Sequence, residues 1–187
     1  MAAMSHVTKV FAVQDCKISP LTADPTGGTA TYGTAIDVPG IKTLEISGDM
    51  ETKELRGDNT LLDSISKLTN VKVKVTNAKL SLDVLAALFG GAVVDVTSGT
   101  ISAEWDLTST STPAPFKIEG ASPSNGADSI GGDVHFTLHK CSASGFPDLG
   151  FAEEDYRVTG FEAAAVPLLA NGKWLTAHLN AVAAVIV

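Results

Sequence analysis

ETKELRGDNTLLDSISKLTNVKVKVTNAKLSLDVLAALFGG, residues Glu51–Gly91, reads as strand, polar loop, strand and short amphipathic helix. Val71, Val73 and Val75 alternate with Lys72, Lys74 and Thr76, the period of two that sends successive side chains to opposite faces of a sheet. Gly57-Asp58-Asn59 is a turn signal, because Gly and Asn tolerate positive φ at little cost. Around it, about residues 54–69, a long irregular loop is expected between two strands. A helix follows. Ser81 suits its N-cap, Asp83 the positive end of its dipole, and Gly90-Gly91 its end. Leu82, Leu85, Ala86, Leu88 and Phe89 fall on one face at helical spacing. A helix this short must pack on a sheet to persist. Nothing in the stretch has the make-up of a place where bonds are made or broken. A long loop set between two strands points instead to contact with another copy.

Upstream, Leu44 and Ile46 face one way, while Thr43, Glu45 and Ser47 face the other. Lys72 and Lys74 are expected to pair across strands with Glu45, Glu51 or Glu54, at a few tenths of a kcal/mol to ~1 kcal/mol each. Val7 to Ile18 reads as a first extended segment. Ser19–Gly40, rich in Thr, Gly and Pro, lacks both periods and suits an ordered arm or long loop. Downstream, Ile101 to Leu107, Phe116 to Gly120 and Val134 to Leu138 read as short strands, with a loop over Ala121–Gly132. Tyr156 to Val166 and Lys173 to Val187 look like closing strands joined by a hairpin turn at Asn171-Gly172. The expected fold is mainly β, a β-sandwich or barrel with one short flanking α-helix.

The chain has 187 residues, 44% of them hydrophobic and only 18% charged. That charge content is low against the quarter or so usual for soluble domains, and it favours burial of further surface by oligomerisation. A net charge of −8 argues against ordinary nucleic-acid binding, which needs clustered Lys and Arg. Cys16 and Cys141 lack metal or redox spacing; two buried free thiols is the favoured reading, a disulfide the alternative. No secretory signal is expected from MAAMSHVTKVFAVQDCK. The most apolar run, Val84 to Val94, falls short of the ~18 residues of a membrane span.

Candidate chemistry is sparse. His135, His139 and Cys141 share strand parity and could face one side as a zinc set, but no fourth ligand is identifiable and their spacing of about 7 Å is wide. Surface or interface positions are the favoured reading. Arg56-Gly57-Asp58 spells an adhesion tripeptide, yet reads as a charged turn in which Arg56 pairs with Glu54 or Asp58. Glu153-Glu154-Asp155 reads as a solvated turn. Trp105 and Trp174 read as core or interface anchors. No serine sits in a nucleophile elbow and no glycine loop precedes a helix in phosphate-binding order. The expectation is no catalytic residue, no metal, no cofactor and no enzyme.

The run Asp37–Gly91, DVPGIKTLEISGDMETKELRGDNTLLDSISKLTNVKVKVTNAKLSLDVLAALFGG, closely resembles the major tail tube proteins of long-tailed, non-contractile bacteriophages. TKELRGDNTLLD followed by AKLSLDVLAALFGG is its most specific part, and LTADPTGGTATYGTAIDVPGIK resembles the same family's N-terminal arm. Past Ala92 the likeness is of strand order and length. The resemblance implies one tail tube domain over residues 1–187, with an arm over about 1–40 and the long loop over about 54–69. It also implies hexameric rings stacked into a hollow tube in the virion tail, assembled in the host cytoplasm. DNA would pass without specific binding, and no membrane would be involved. A tape measure protein, tail tip proteins and a terminator would be partners. Ring stacking falls on Arg56, Gly57, Asp58, Asn59, Thr60, Leu61, Leu62 and Asp63, and onward to Ser66. Ile41–Lys53 and Asn70–Ala78 would be the inner strands. Thr43, Glu45, Ser47, Lys72 and Lys74 would line the lumen, unless the two lysines face away from it. The alternatives are a tail terminator, a secretion-system tube, or a monomeric β-sandwich binding module.

Overall fold

A computed structural model describes residues 8–10, 12–96, 99–123, 132–147, 149–150 and 158–186. Eleven strands and one helix follow in chain order: β1 (Asp15–Ala23), β2 (Thr31–Tyr32), β3 (Ile36–Asp37), β4 (Ile41–Gly57), β5 (Thr60–Asn77), α1 (Leu82–Phe89), β6 (Ala92–Asp95), β7 (Ala103–Asp106), β8 (Phe116–Pro123), β9 (Asp133–Ala143), β10 (Thr159–Ala165) and β11 (Leu175–Leu179). The fold is mainly β with one short helix, as the alternating patterns lead one to expect. The main sheet runs β2-β1-β8-β9-β10-β5-β4, with β3 added to β1 and β11 to β9; β6 and β7 form a separate pair. Every pairing is antiparallel.

Burial follows the period of two. Val71, Val73 and Val75 are buried while Lys72 and Lys74 are exposed. The valines join Cys16, Ile18, Phe116, Ile118, Leu138, Cys141 and Phe161 in one core, with Val84 and Leu88 of α1 among them. Fully burying a side chain of this size is worth about 1.5–3 kcal/mol. The sheet curls around this core. Gly120 on β8 sits so close to Leu44 on β4 that a Cβ there would lie 2.1 Å from Leu44 Cδ2. In sheet order those strands are separated by β9, β10 and β5, a gap far too wide to touch across a flat sheet at about 4.8 Å per strand. Cys16 and Cys141 are buried free thiols. Burial chiefly pushes each up to about 12, with nearby Asp15 and Asp37 adding to the effect on Cys16.

Helix α1 starts and stops on the expected residues. The Ser81 hydroxyl accepts from the Val84 amide, and the Gly90 N–H donates to the Ala86 carbonyl with Gly90 at φ 80°. Val84, Leu85 and Leu88 form its buried side, with Phe89 partly buried against the core; Val84 thus joins the face expected from the sequence.

Four expectations need correction. The segment expected as a long loop, about residues 54–69, is strand on both sides of a two-residue turn. Gly57 pairs with Thr60, and Asp58 and Asn59 take φ of 50° and 60°, the mirror-image turn that matches strand twist and that Asp and Asn tolerate. The Ser19–Gly40 segment is partly sheet, since β1 continues to Ala23 and both β2 and β3 fold back onto it. The first strand begins at Asp15 rather than Val7; residues 1–7 lie outside the described residues. Asn171-Gly172 does not join a hairpin. β10 and β11 lie in line along one edge of β9, pairing with Ala143–Cys141 and Leu138–Val134 respectively. Residues 166–174 make an excursion between them, closed by Leu168 N–H to the Lys173 carbonyl and Gly172 N–H to the Leu168 carbonyl. The Asp24 carboxylate holds this excursion, accepting from the Leu169 and Ala170 amides and from Lys140 Nζ. The Lys140 hydrogen bond, first, and the two amides hold the Asp24 carboxyl below its ordinary value.

Candidate functional site: a bare hairpin arm and a polar sheet face

β5 pairs with β10 only from Val71 to Asn77. Beyond Val71, β4 and β5 continue with no other strand partner among the described residues, from Asp49 opposite Asn70 to the Asp58-Asn59 turn. At about 3.3 Å per residue this arm reaches about 30 Å past the sheet. Thr69 is an extra residue between the Asp49–Asn70 and Met50–Leu68 pairs, and Leu62 is another near the tip. Such bulges bend a hairpin and increase its twist.

The arm stands apart from the core-bearing part of the sheet. An isolated two-stranded hairpin is at best marginally stable in water. This one also carries Met50, Leu55, Leu61, Leu62, Ile65 and Leu68 in the open, with Ile65 66% and Leu62 63% exposed. The register puts Met50/Leu68, Thr52/Ser66 and Glu54/Ser64 on one face and Glu51/Lys67, Lys53/Ile65 and Leu55/Asp63 on the other. Thr52 Oγ1 and Ser66 Oγ lie 2.8 Å apart, as that pairing requires. Apolar side chains therefore stand on both faces, and both strand edges are unpaired, a template for pairing with other chains.

The residues expected to stack rings fall on the distal end of this arm. Arg56 donates from Nε and Nη2 to Glu54 Oε2, at 2.9 and 2.7 Å. Asp58 and Asn59 form the tip; Thr60, Leu61, Leu62 and Asp63 begin the returning strand. Ile65 falls within the run expected to stack rings, whereas the exposed Met50, Leu55 and Leu68 carry no role in the sequence reading, because without the strand register nothing tells exposed apolar residues from core ones.

Thr43, Glu45, Ser47, Lys72 and Lys74 share one sheet face, opposite the core. Thr43 stands across from Thr76 with their hydroxyls 2.6 Å apart, Glu45 across from Lys74, and Ser47 across from Lys72. The lysines pair otherwise than expected. Lys72 Nζ lies 2.8 Å from Asp49 and Lys74 Nζ 3.0 Å from Glu162 of β10. Hydrogen bonding first, then charge, raises both lysines and lowers Asp49. Glu51 instead lies 3.8 Å from Lys53. These pairs are well exposed and contribute little to stability. What they set is the sign of the face, on which Glu45, Asp49 and Glu162 outnumber Lys72 and Lys74.

The zinc-like trio separates. A register shift between the Phe116–Cys141 and Ile118–Leu138 pairs turns Cys141 into the core beside Leu138. His135 lies between Glu119 and Asp133, and His139 Nε2 lies 2.6 Å from Thr176 Oγ1. Among the described residues no group of three His, Cys, Asp or Glu is placed to hold a metal ion, and no helix is long and apolar enough to cross a membrane. Trp105 and Trp174 are half-buried; the Trp105 indole donates to the Gly90 carbonyl and stacks on Phe146. Glu153-Glu154-Asp155 lies outside the described residues. Comparison with protein-family models and with curated proteins finds no match.

Proposed function

We propose that this chain is a virion structural protein, a tail tube subunit that closes into rings, six to a ring as the resemblance implies, and stacks them into a conduit for DNA. The observation that carries the reading is the arm. Roughly 30 Å of unsupported hairpin with six exposed large apolar side chains gains its missing contacts from neighbouring copies. An arm at one end of the long β5 strand, received elsewhere on the next copy, makes a heterologous contact, and repeated contacts of that kind build open stacks.

The polar face supports the lumen assignment. Thr43, Glu45, Ser47 and Thr76 with the paired Lys72 and Lys74 make a wetted surface of slightly negative balance. In a chain of net charge −8, such a lining resists phosphate adhesion and lets DNA slide. Ion-paired lysines on that face are compatible with transit because their partners offset them.

Negative-stain microscopy of the purified chain over a concentration series tests this. Stacked rings with a central channel are expected. Rings that close but never stack would indicate a terminator-like part, and single particles at every concentration would defeat the proposal.

A further inference from the structure

His135 is 5% exposed and lies between two carboxylates, with Nδ1 3.2 Å from Glu119 Oε1 and Nε2 3.1 Å from Asp133 Oδ2. A neutral imidazole has one N–H and can donate to only one of them; an imidazolium donates to both. Lys117 Nζ lies 3.3 Å from the other oxygen of Glu119. A second proton on His135 therefore lets the ring donate to both carboxylates and sets a positive charge between them.

The same Asp133 carboxylate fastens the C-terminal segment. Oδ1 accepts from Asn180 Nδ2 at 2.8 Å, Oδ2 accepts from the Ala184 amide at 2.9 Å, and the Asp133 carbonyl accepts from the Asn180 amide. Farther on, Lys17 Nζ donates to the Ile186 carbonyl, and Ile186 is buried. Residues 181–185 are exposed, so among the described residues the segment is held at its start by Asp133 and at its end by Ile186. Gly132 admits it closely: a Cβ there would lie 2.0 Å from the Asn180 carbonyl oxygen.

We propose that residues 180–186 form a strap latched by protonated His135 through Asp133, and that loss of the ring proton releases the strap while the sheet stays folded. With a neutral ring, one nitrogen lone pair faces a carboxylate oxygen. Asp133 or Glu119 must then turn away or admit water, and the Asn180 and Ala184 bonds loosen with Asp133. The groups facing the ring are Asp133 on its own strand, Glu119 and Lys117 on β8, and His178 opposite it on β11. Lys17 on β1 stands opposite Glu119. Burial acts to lower the His135 pKa, but the hydrogen bonds to Asp133 and Glu119, and then their charges, leave it raised above the ordinary 6.5. Burial would likewise raise Asp133, yet Asn180, Ala184 and His135 leave it lowered. Because the His135 pKa is raised in the closed state, latching is fully present below 6.5 and is lost as pH rises through the raised value. Because Asp133 is lowered, its share is lost only in acid, as pH falls through the lowered value.

Hydrogen exchange by mass spectrometry on the intact chain tests this, with rates on the 180–186 peptide corrected for intrinsic base catalysis. Protection there should fall with rising pH, about tenfold for each unit by which the ring's pKa is higher closed than open. A peptide over Val71–Val75 should hold its protection. His135→Gln should give a loosened, pH-independent strap, and Gly132→Ala a loosened strap that keeps the pH dependence of the ring. Flat protection across the His135 titration in the unmodified chain would overturn the proposal. So would loss in step with Val71–Val75, or a pH response surviving in His135→Gln.

Discussion

Leu62→Lys with Ile65→Glu is the change that most sharply separates a self-contained β protein from one completed by its neighbours. The pair leaves net charge unaltered and sets the new glutamate directly opposite Lys53, so its cross-strand partner is of opposite charge. Leu62 and Ile65 are 63% and 66% exposed, so two-thirds of each side chain is available for burial in an assembly. Full burial of such a side chain is worth about 1.5–3 kcal/mol, which leaves about 1–2 kcal/mol each, or about 2–4 kcal/mol per arm. That corresponds to an arm contact weakened about 30- to 1,000-fold. Within the subunit the same side chains touch water, and surface substitutions of this kind change folding by about 0.5 kcal/mol or less. At this chain length that is a shift in Tm of about 2 °C. Sedimentation velocity should show assembly lost over the range where the unmodified chain assembles, with circular dichroism showing the small Tm shift. Unaltered assembly would refute the reasoning, as would a fall in Tm beyond about 8 °C, which would mean the arm packs within its own subunit.

Other outcomes follow from the interior. Gly120→Val drives a side chain into Leu44 and should cost about 1–3 kcal/mol in urea unfolding, with a milder effect once Leu44 is also shortened. Val73→Ala empties a site that is 1% exposed and should cost about 2 kcal/mol through lost burial and the cavity left behind. Cys16 and Cys141, buried with thiols pushed up to about 12, should resist alkylation at pH 8 in the folded chain and react on unfolding; ready labelling of native protein would contradict the core placement. Asp24→Asn should destabilise at neutral pH and approach the unmodified chain in acid. The lowered Asp24 pKa means its contribution is present above the ordinary 3.8 and lost as pH falls through the lowered value; pH-dependent thermal melts of both proteins would show the two curves converge.

Much of the β framework is legible because burial writes itself on alternating residues. Val71, Val73 and Val75 against Lys72 and Lys74 announce both the strand and its inward face, and the Ser81 cap and Gly90 define α1. Only the root of the arm leaves such a mark, within the Ile41–Lys53 run that reads as strand. From Glu54 to Thr69 neither face is buried, so no apolar period tells strand from loop. Two bulges then shift its register. The turn at Asp58-Asn59 is visible, yet a turn alone does not reveal strands flanking it. Asn171-Gly172 misleads for a related reason: residues suited to a tight turn also serve an excursion, and only pairing to β9 tells the two apart. The cluster around His135 depends on neighbours brought from β8 and the C-terminal segment, contacts that no local pattern encodes.

Exchange of amide hydrogens over Asp49–Asn70, compared between dilute subunits and assembled particles, tests the central claim most directly. Fast exchange in the dilute chain and strong protection after assembly are expected, with Val71–Val75 protected in both. Equal protection in the dilute chain, or an arm that still exchanges freely inside assembled particles, would contradict the view that neighbouring copies complete this fold.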